Sequence, residues 1–263
     1  MIKNIKLFIN NNEKSIELAK LVREKLNEND FVIDDNNFDL GIAIGGDGSF
    51  LRMIKNNRFN SEPYYVGINS GHLGFLQEVK VSEINKLIEE LKTKKYKVSN
   101  IGIQETKIVS NDKEEKFYSL NEIILRDIDL KILKTNIFIN DDFLEEYVGD
   151  GIMIATSTGS TAYNLCYGGS IIPPEFSTLQ ITPMAPINSK VYKSVPNSII
   201  EPGNTKINLF PKNKDVMVTI DGDNKYFNDI DYITTSIEDK KIKMLRFSHY
   251  NFAQKINEKF LSD

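Results

Sequence analysis

Apolar residues follow two rhythms along this chain, and the rhythm changes near Val98. Before that point short apolar runs alternate with helix-spaced ones. Residues 6–10 read as a strand, and 13–29 as an amphipathic helix with Ile16, Ala19, Val22 and Leu26 on one face. Residues 31–33 form a short strand and 40–44 a buried one, and 49–56 start a helix directly after a glycine turn. Residues 65–68 read as the next strand. Residues 81–95 then show Ile84, Leu87, Ile88 and Leu91 at helical spacing, with Ser82 as the expected cap. Such β-α alternation predicts a parallel sheet covered by helices.

After Val98 strand follows strand. The pattern predicts strands at 101–110, 117–126, 134–139 and 143–148, and later at 205–209, 216–220, 232–237 and 242–247. Asn111-Asp112-Lys113, Asn140-Asp141-Asp142 and Asp221-Gly222-Asp223 supply turns between them. Residues 252–261 read as a closing helix. The expectation is a Rossmann-like α/β domain over 1–97 and an antiparallel β domain over 98–248. A terminal helix in 249–263 packs back on the first domain, and a nucleotide site lies between the two.

Composition narrows the function classes. The 263 residues carry 40% hydrophobic and 27% charged side chains, as a soluble globular protein does. A net charge of -4 lacks the basic face that phosphate-driven nucleic-acid binding needs. Lys94, Lys95 and Lys97 read as a solvated helix terminus. The single cysteine, Cys166, leaves no disulfide and no cysteine-rich metal site, and neither His72 nor His249 has a metal-ligand spacing. No apolar run has the length of a membrane span, and the start shows no signal-peptide layout. A cytoplasmic protein without membrane or nucleic-acid partners is expected.

The chemistry concentrates in two glycine-spaced runs. Gly45-Gly46-Asp47-Gly48-Ser49 follows the buried strand at 40–44 and puts one carboxylate at its carboxyl end, where open α/β sheets bind ligands. Glycine lets backbone come close to a ligand. A carboxylate so placed can take a proton from a substrate hydroxyl, and the adjoining helix start can hold phosphate oxygens. A plain helix cap is the simpler alternative for Asp47. Asn121-Glu122 breaks a strand with an amide beside a carboxylate, which suits paired ribose hydroxyls but also fits a solvated strand face. Asp150 sits between glycines, and Thr158-Gly159-Ser160-Thr161-Ala162-Tyr163 offers hydroxyls and N–H groups at a helix start. P-loop, Gly-x-Gly-x-x-Gly, Gly-x-Ser-x-Gly and His-Glu-x-x-His patterns do not occur.

Together, Gly45-Gly46-Asp47-Gly48-Ser49-Phe50-Leu51, Gly71-His72-Leu73-Gly74-Phe75, Asn121-Glu122, Gly149-Asp150-Gly151, the run from Thr158 to Asn164, and Gly168-Gly169 resemble the NAD kinase family. The first motif is shared with lipid kinases and phosphofructokinases; the later series is more specific. The resemblance implies transfer of the γ-phosphoryl group of ATP, or of a phosphoryl group from polyphosphate, to the 2′-hydroxyl of the adenosine ribose of NAD. A divalent metal, Mg²⁺ first, would take part. It implies Asp47 as catalytic base, with Gly48 and Phe75 at the adenosine end. Asn121 and Glu122 would hold ribose hydroxyls, and Asp150 would face the nicotinamide side. Thr158, Thr161, Ala162 and Tyr163 would complete the pocket, with Asp221 an acidic group near the substrate. Ala185 and Tyr192 match positions that approach a dinucleotide on a neighbouring subunit, which implies a homodimer or homotetramer.

Three positions depart from the family pattern: Val148 replaces a frequent basic residue, and Thr158 and Cys166 stand where serine is common. Two other functions stay open on the residues alone. One is a lipid or sugar kinase sharing the first motif; the other is a dinucleotide-binding sensor without catalysis.

Overall fold

The computed structural model describes residues 2–71, 74–248 and 250–262. The chain divides into two units, one made of Met1–Asn100 with Ile242–Asp263 and the other of Ile101–Lys241.

In the first unit the elements run β1 (Asn4–Ile9), α1 (Glu13–Asn27), β2 (Val32–Ile33), β3 (Leu40–Gly45), α2 (Asp47–Asn56), β4 (Tyr64–Asn69) and α3 (Ile84–Thr93). The strands pair in parallel in the order β2-β1-β3-β4. Every residue of β3 is buried, as a strand covered by helices on both faces must be. Asn12 caps α1 by accepting the Ser15 N–H at 2.8 Å. The buried face of α1 carries Leu18, Ala19, Val22 and Leu26; Ile16, expected on it, is exposed. Ser82 does not cap the later helix. A 3₁₀ turn at Val81–Glu83 precedes α3, and the Glu83 carboxylate accepts the Lys80 N–H at 2.9 Å.

The second unit comprises most of β5 (Tyr96–Ser110), then β6 (Lys113–Ser119), β7 (Glu122–Asp127), β8 (Leu133–Ile139), β9 (Asp142–Gly149), β10 (Gly151–Thr156) and the short helix α4 (Tyr163–Cys166). It continues with β11 (Thr178–Met184), β12 (Ile199–Pro202), β13 (Ile207–Pro211), β14 (Val216–Ile220), β15 (Asp223–Phe227) and most of β16 (Ile230–Phe247). One antiparallel sheet runs β12-β11-β10-β7-β14-β15. In the other, β13 joins β16 to β8, and β8 pairs with β9. Ile123, Leu125, Ile152, Ile154, Val218 and Ile233 are among the residues packed into this unit's core.

Two predicted boundaries change. The strand expected at 117–126 is two strands that break at Leu120-Asn121, and those expected at 232–237 and 242–247 are one. The last part of β16 pairs in parallel with β4 through Lys243 and Met244, so it belongs to the first unit rather than to the second region drawn through residue 248. Helix α5 (Phe252–Phe260) completes the first unit, with Phe252 and Phe260 ring centroids 6.1 and 5.8 Å from that of Phe75.

Candidate active site

Asp47 is the first residue of α2, not part of a loop before it: Gly46 is the N-cap and has no side chain to cap with. A carboxylate in the first turn is favoured by the helix dipole. Two backbone donors fix it. Phe75 N–H donates to Oδ2 and Leu76 N–H to Oδ1, each at 2.9 Å. Each oxygen keeps a lone pair free to accept a further hydrogen bond. The segment that supplies these donors is itself tied down. Gln77 Nε2 donates to the Gly46 carbonyl at 2.8 Å, and the Glu78 and Val79 N–H groups donate to the Gly67 carbonyl at 2.9 and 3.1 Å.

Gly74 makes the approach possible, because a Cβ there would overlap Asp47 Oδ1 and lie 2.8 Å from Oδ2. Gly74→Ala is therefore expected to displace the carboxylate and lower kcat by roughly 10²-fold, the scale of a 1 Å misplacement. Steady-state kinetics beside a melting curve checks this, and the melting temperature should move by only a few degrees. Gly48 is exposed and Phe75 half-buried. His72, Leu73 and His249 lie outside the described residues.

In the second unit, Asn121 and Glu122 sit at the break between β6 and β7 and are only 8% and 7% exposed, so they are not on a solvated strand face. Asp221 organises them. Its carboxylate accepts the N–H groups of Leu120 at 2.7 Å, Asn121 at 2.8 Å and Glu122 at 3.2 Å, and its own N–H donates to the Glu122 carbonyl at 3.1 Å. Asp221 takes a left-handed backbone (φ 44°) at the β14–β15 turn, a conformation aspartate tolerates. Asn121 Oδ1 and Glu122 Oε2 are buried and accept no hydrogen bond among the described residues. Burial, and then the charge of Asp221, push the Glu122 carboxyl up to about 8.

The Thr158 run is clamped to the same break. Thr156 N–H donates to the Asn121 carbonyl at 2.8 Å, its hydroxyl donates to the Leu120 carbonyl at 2.5 Å and accepts the Gly159 N–H at 3.1 Å. A Cβ on Gly159 would strike the Asn121 backbone, so only glycine fits this crossing. Thr158–Thr161 form a 3₁₀ turn; Thr158 is buried, and Thr161 and Ala162 are half-buried. Tyr163 is exposed. Its hydroxyl lies 3.1 Å from that of Tyr167 and accepts from Arg126 Nη2 at 3.2 Å, and these two contacts hold the phenol below its ordinary pKa.

Asp150 is exposed, and its N–H donates to the Met184 carbonyl at 3.0 Å, which puts it beside Ala185. Ala185 is exposed in a left-handed conformation (φ 48°). Tyr192 stands elsewhere, its hydroxyl accepting from Lys134 Nζ at 2.9 Å. Val148 is 1% exposed, with its N–H on Ser194 Oγ at 3.1 Å.

Sequence patterns do not mark Gln77, Lys255 or Arg126, whose contacts come from distant segments, and Gly74 stands out only as part of a motif. Among the described residues no three His, Cys, Asp or Glu side chains group so as to hold a metal ion. No helix among them is long and apolar enough to cross a membrane.

The family model described as ATP-NAD kinase N-terminal domain matches residues 8–96, and the ATP-NAD kinase C-terminal domain matches residues 120–247. The chain is 37% identical over 269 residues to the NAD kinase of Finegoldia magna, covering 98% of each protein. It is 33% identical over 265 residues to that of Streptococcus gordonii, covering 99% of this chain and 96% of the relative. Yeast NADH kinase complexed with NADH is similar in fold, at TM-score 0.83 and 22% identity over 100% of this chain and 89% of that one. So is an NAD kinase from Archaeoglobus fulgidus in complex with ATP, at TM-score 0.74 and 20% identity over 98% and 99%. Both halves match that family's domains and the full-length relatives carry its name: the chain belongs to the NAD kinase family.

Proposed function

We propose that this NAD kinase transfers the γ-phosphoryl group of ATP to the 2′-hydroxyl of the adenosine ribose of NAD, with Asp47 as general base. The 2′-oxygen attacks the γ-phosphorus, the bond to the β-phosphate oxygen breaks, and ADP leaves. Asp47 takes the hydroxyl proton and passes it to water, so NAD and ATP become NADP, ADP and a proton. The observation that carries this is the Asp47 carboxylate fixed at the head of α2 by two N–H groups while both oxygens can still accept. Phosphoryl transfer asks a protein mainly to position the partners and stabilise charge. The N-terminus of α2 suits the donor's phosphates, with Gly48 leaving its backbone uncovered.

Asn121 and Glu122 bind the ribose hydroxyls in this proposal; their buried acceptors without partners support it. Gly48 and Phe75 line the adenosine end, Asp150 the nicotinamide side, and Thr158, Thr161, Ala162 and Tyr163 the remaining pocket. Asp221 acts by holding Asn121 and Glu122. Ala185 and Tyr192 face the dinucleotide of a copy in a homodimer or homotetramer, and the enzyme works in the cytoplasm. A divalent cation, Mg²⁺ first, enters with the triphosphate. The described residues provide no metal cage of their own.

Binding tests the ribose assignment. Hydroxyl donors from NAD favour the ionised Glu122, whose carboxyl sits at about 8 in the free protein. NAD binding at pH 7 should therefore release close to one proton, read by calorimetry in buffers of different ionisation enthalpy. Glu122→Gln should abolish that release and weaken NAD binding roughly 10- to 100-fold, as loss of a hydrogen bond to a charged group does. Without ligand the sign reverses. A raised carboxyl pKa costs stability as pH climbs from about 4.5 to about 8, so Glu122→Gln should melt higher than the parent at pH 8 and level with it below pH 4.5. Stabilisation by a lipid or sugar phosphate instead of NAD would overturn the substrate assignment.

A further inference from the structure

The C-terminal helix makes its hydrogen bonds to the segment that holds the candidate base through Lys255. Lys255 lies on α5, its side chain 11% exposed, and its ammonium has three donors to place. They go to the Gln77 carbonyl at 2.8 Å, the Phe75 carbonyl at 3.4 Å and Glu78 Oε2 at 3.3 Å. Phe75 and Leu76 are the residues whose N–H groups hold Asp47. The lysine therefore clasps the outer side of the segment whose inner side presents two donors to the carboxylate.

An ordinary structural ion pair would explain less. Glu78 does not depend on Lys255 for a countercharge, because Arg246 Nη1 donates to Oε2 at 3.0 Å and Phe247 N–H to Oε1 at 3.1 Å. Burying a lysine in a place already neutralised is costly, and burial does hold this ammonium below its ordinary pKa against the pull of Glu78. What Lys255 adds beyond charge balance is the two main-chain carbonyls. Aromatic packing of Phe75 against Phe252 and Phe260 joins the same helix to the same segment.

We propose that Lys255 is a positioning residue for phosphoryl transfer: by fixing the Phe75 and Gln77 carbonyls it sets the N–H pair that aims Asp47. This rests on Asp47 being the base. Small errors in aim cost rate far more than affinity, because they act on the reacting geometry and not on substrate contacts.

The test is kinetics of Lys255→Met, which keeps the stem and removes the donors. The expected result is a kcat lowered roughly 10- to 100-fold, with KM for NAD and for ATP within about twofold and no further loss when added to Asp47→Asn. If Asp47→Asn itself keeps parental turnover, the base assignment has failed. If Asp47→Asn is inactive but Lys255→Met has the parental kcat, or loses only affinity, the positioning role alone is overturned. Amide hydrogen exchange on the unsubstituted protein gives a second reading should Lys255→Met not fold. The Phe75 and Leu76 amides should be protected no more strongly than those of α5. Protection that outlasts the opening of α5 would show that the segment holds Asp47 without the helix, contradicting the proposal.

Discussion

Asp47→Asn is expected to lower kcat by about 10²–10⁴, the usual contribution of a positioned general base, while the Kd for NAD changes no more than a few-fold. Asparagine is nearly the same size, so the head of α2 keeps its shape. Its amide cannot take the ribose proton, and it offers one acceptor where the carboxylate offers two to the Phe75 and Leu76 N–H groups. Losing one of those bonds costs about 1–3 kcal/mol of stability, a modest charge for a chain this long. Kinetics and calorimetry on the same preparation separate the two effects. An affinity loss as large as the rate loss would make Asp47 a binding residue.

Asp221→Ala should cause the largest fall in stability. Its carboxylate holds three consecutive main-chain donors, those of Leu120, Asn121 and Glu122, at the break between β6 and β7. Alanine leaves them without that acceptor and must also adopt a left-handed backbone at φ 44°. With about 1–3 kcal/mol for each unsatisfied buried group and partial access to water, a loss of about 3–5 kcal/mol is expected. That corresponds to a melting temperature lower by roughly 6–20 °C. Asp221→Asn tolerates the backbone and keeps one acceptor, so it should lose less than half as much. NAD affinity should fall with Asp221→Ala, because Asn121 and Glu122 lose their anchor. Melting curves in urea and heat check the ordering; a parental stability for Asp221→Asn beside a large loss for Asp221→Ala would show that tolerance of the left-handed backbone, not the carboxylate, is what Asp221 contributes.

How much of this was legible in the sequence depends on how local each cause is. The strand β3 and the helix after it could be read because the apolar run at 40–44 ends in glycines and an apolar periodicity follows. That Asp47 opens α2 instead of preceding it could not, since Gly46 gives no side-chain cap to mark the boundary. The pattern predicts neither β10 nor β11. Gly151–Thr156 is wholly buried and shows no alternation, and Thr178–Met184 contains a proline. The long β16 looked like two strands because Glu238-Asp239-Lys240-Lys241 interrupts its apolar pattern.

The candidate site divides the same way. The residue types at 47, 121, 122, 150 and 158–163 could be singled out from composition and spacing. Their partners could not. Asp221 meets Leu120 across 101 positions and Lys255 meets Gln77 across 178, and no periodicity encodes such pairs. For Glu122 the residues alone leave a ribose partner and a solvated strand face both open, and only its burial next to Asp221 gives it an unusual carboxyl.

The most direct measurement is the initial rate of NADP formation from NAD, ATP and Mg²⁺ by the purified chain, followed with an NADP-specific dehydrogenase. Steady turnover, one ADP for each NADP, and its disappearance in Asp47→Asn are the predicted result. Tight NAD binding with no NADP formed from either ATP or polyphosphate would contradict it and leave a dinucleotide-binding protein without catalysis.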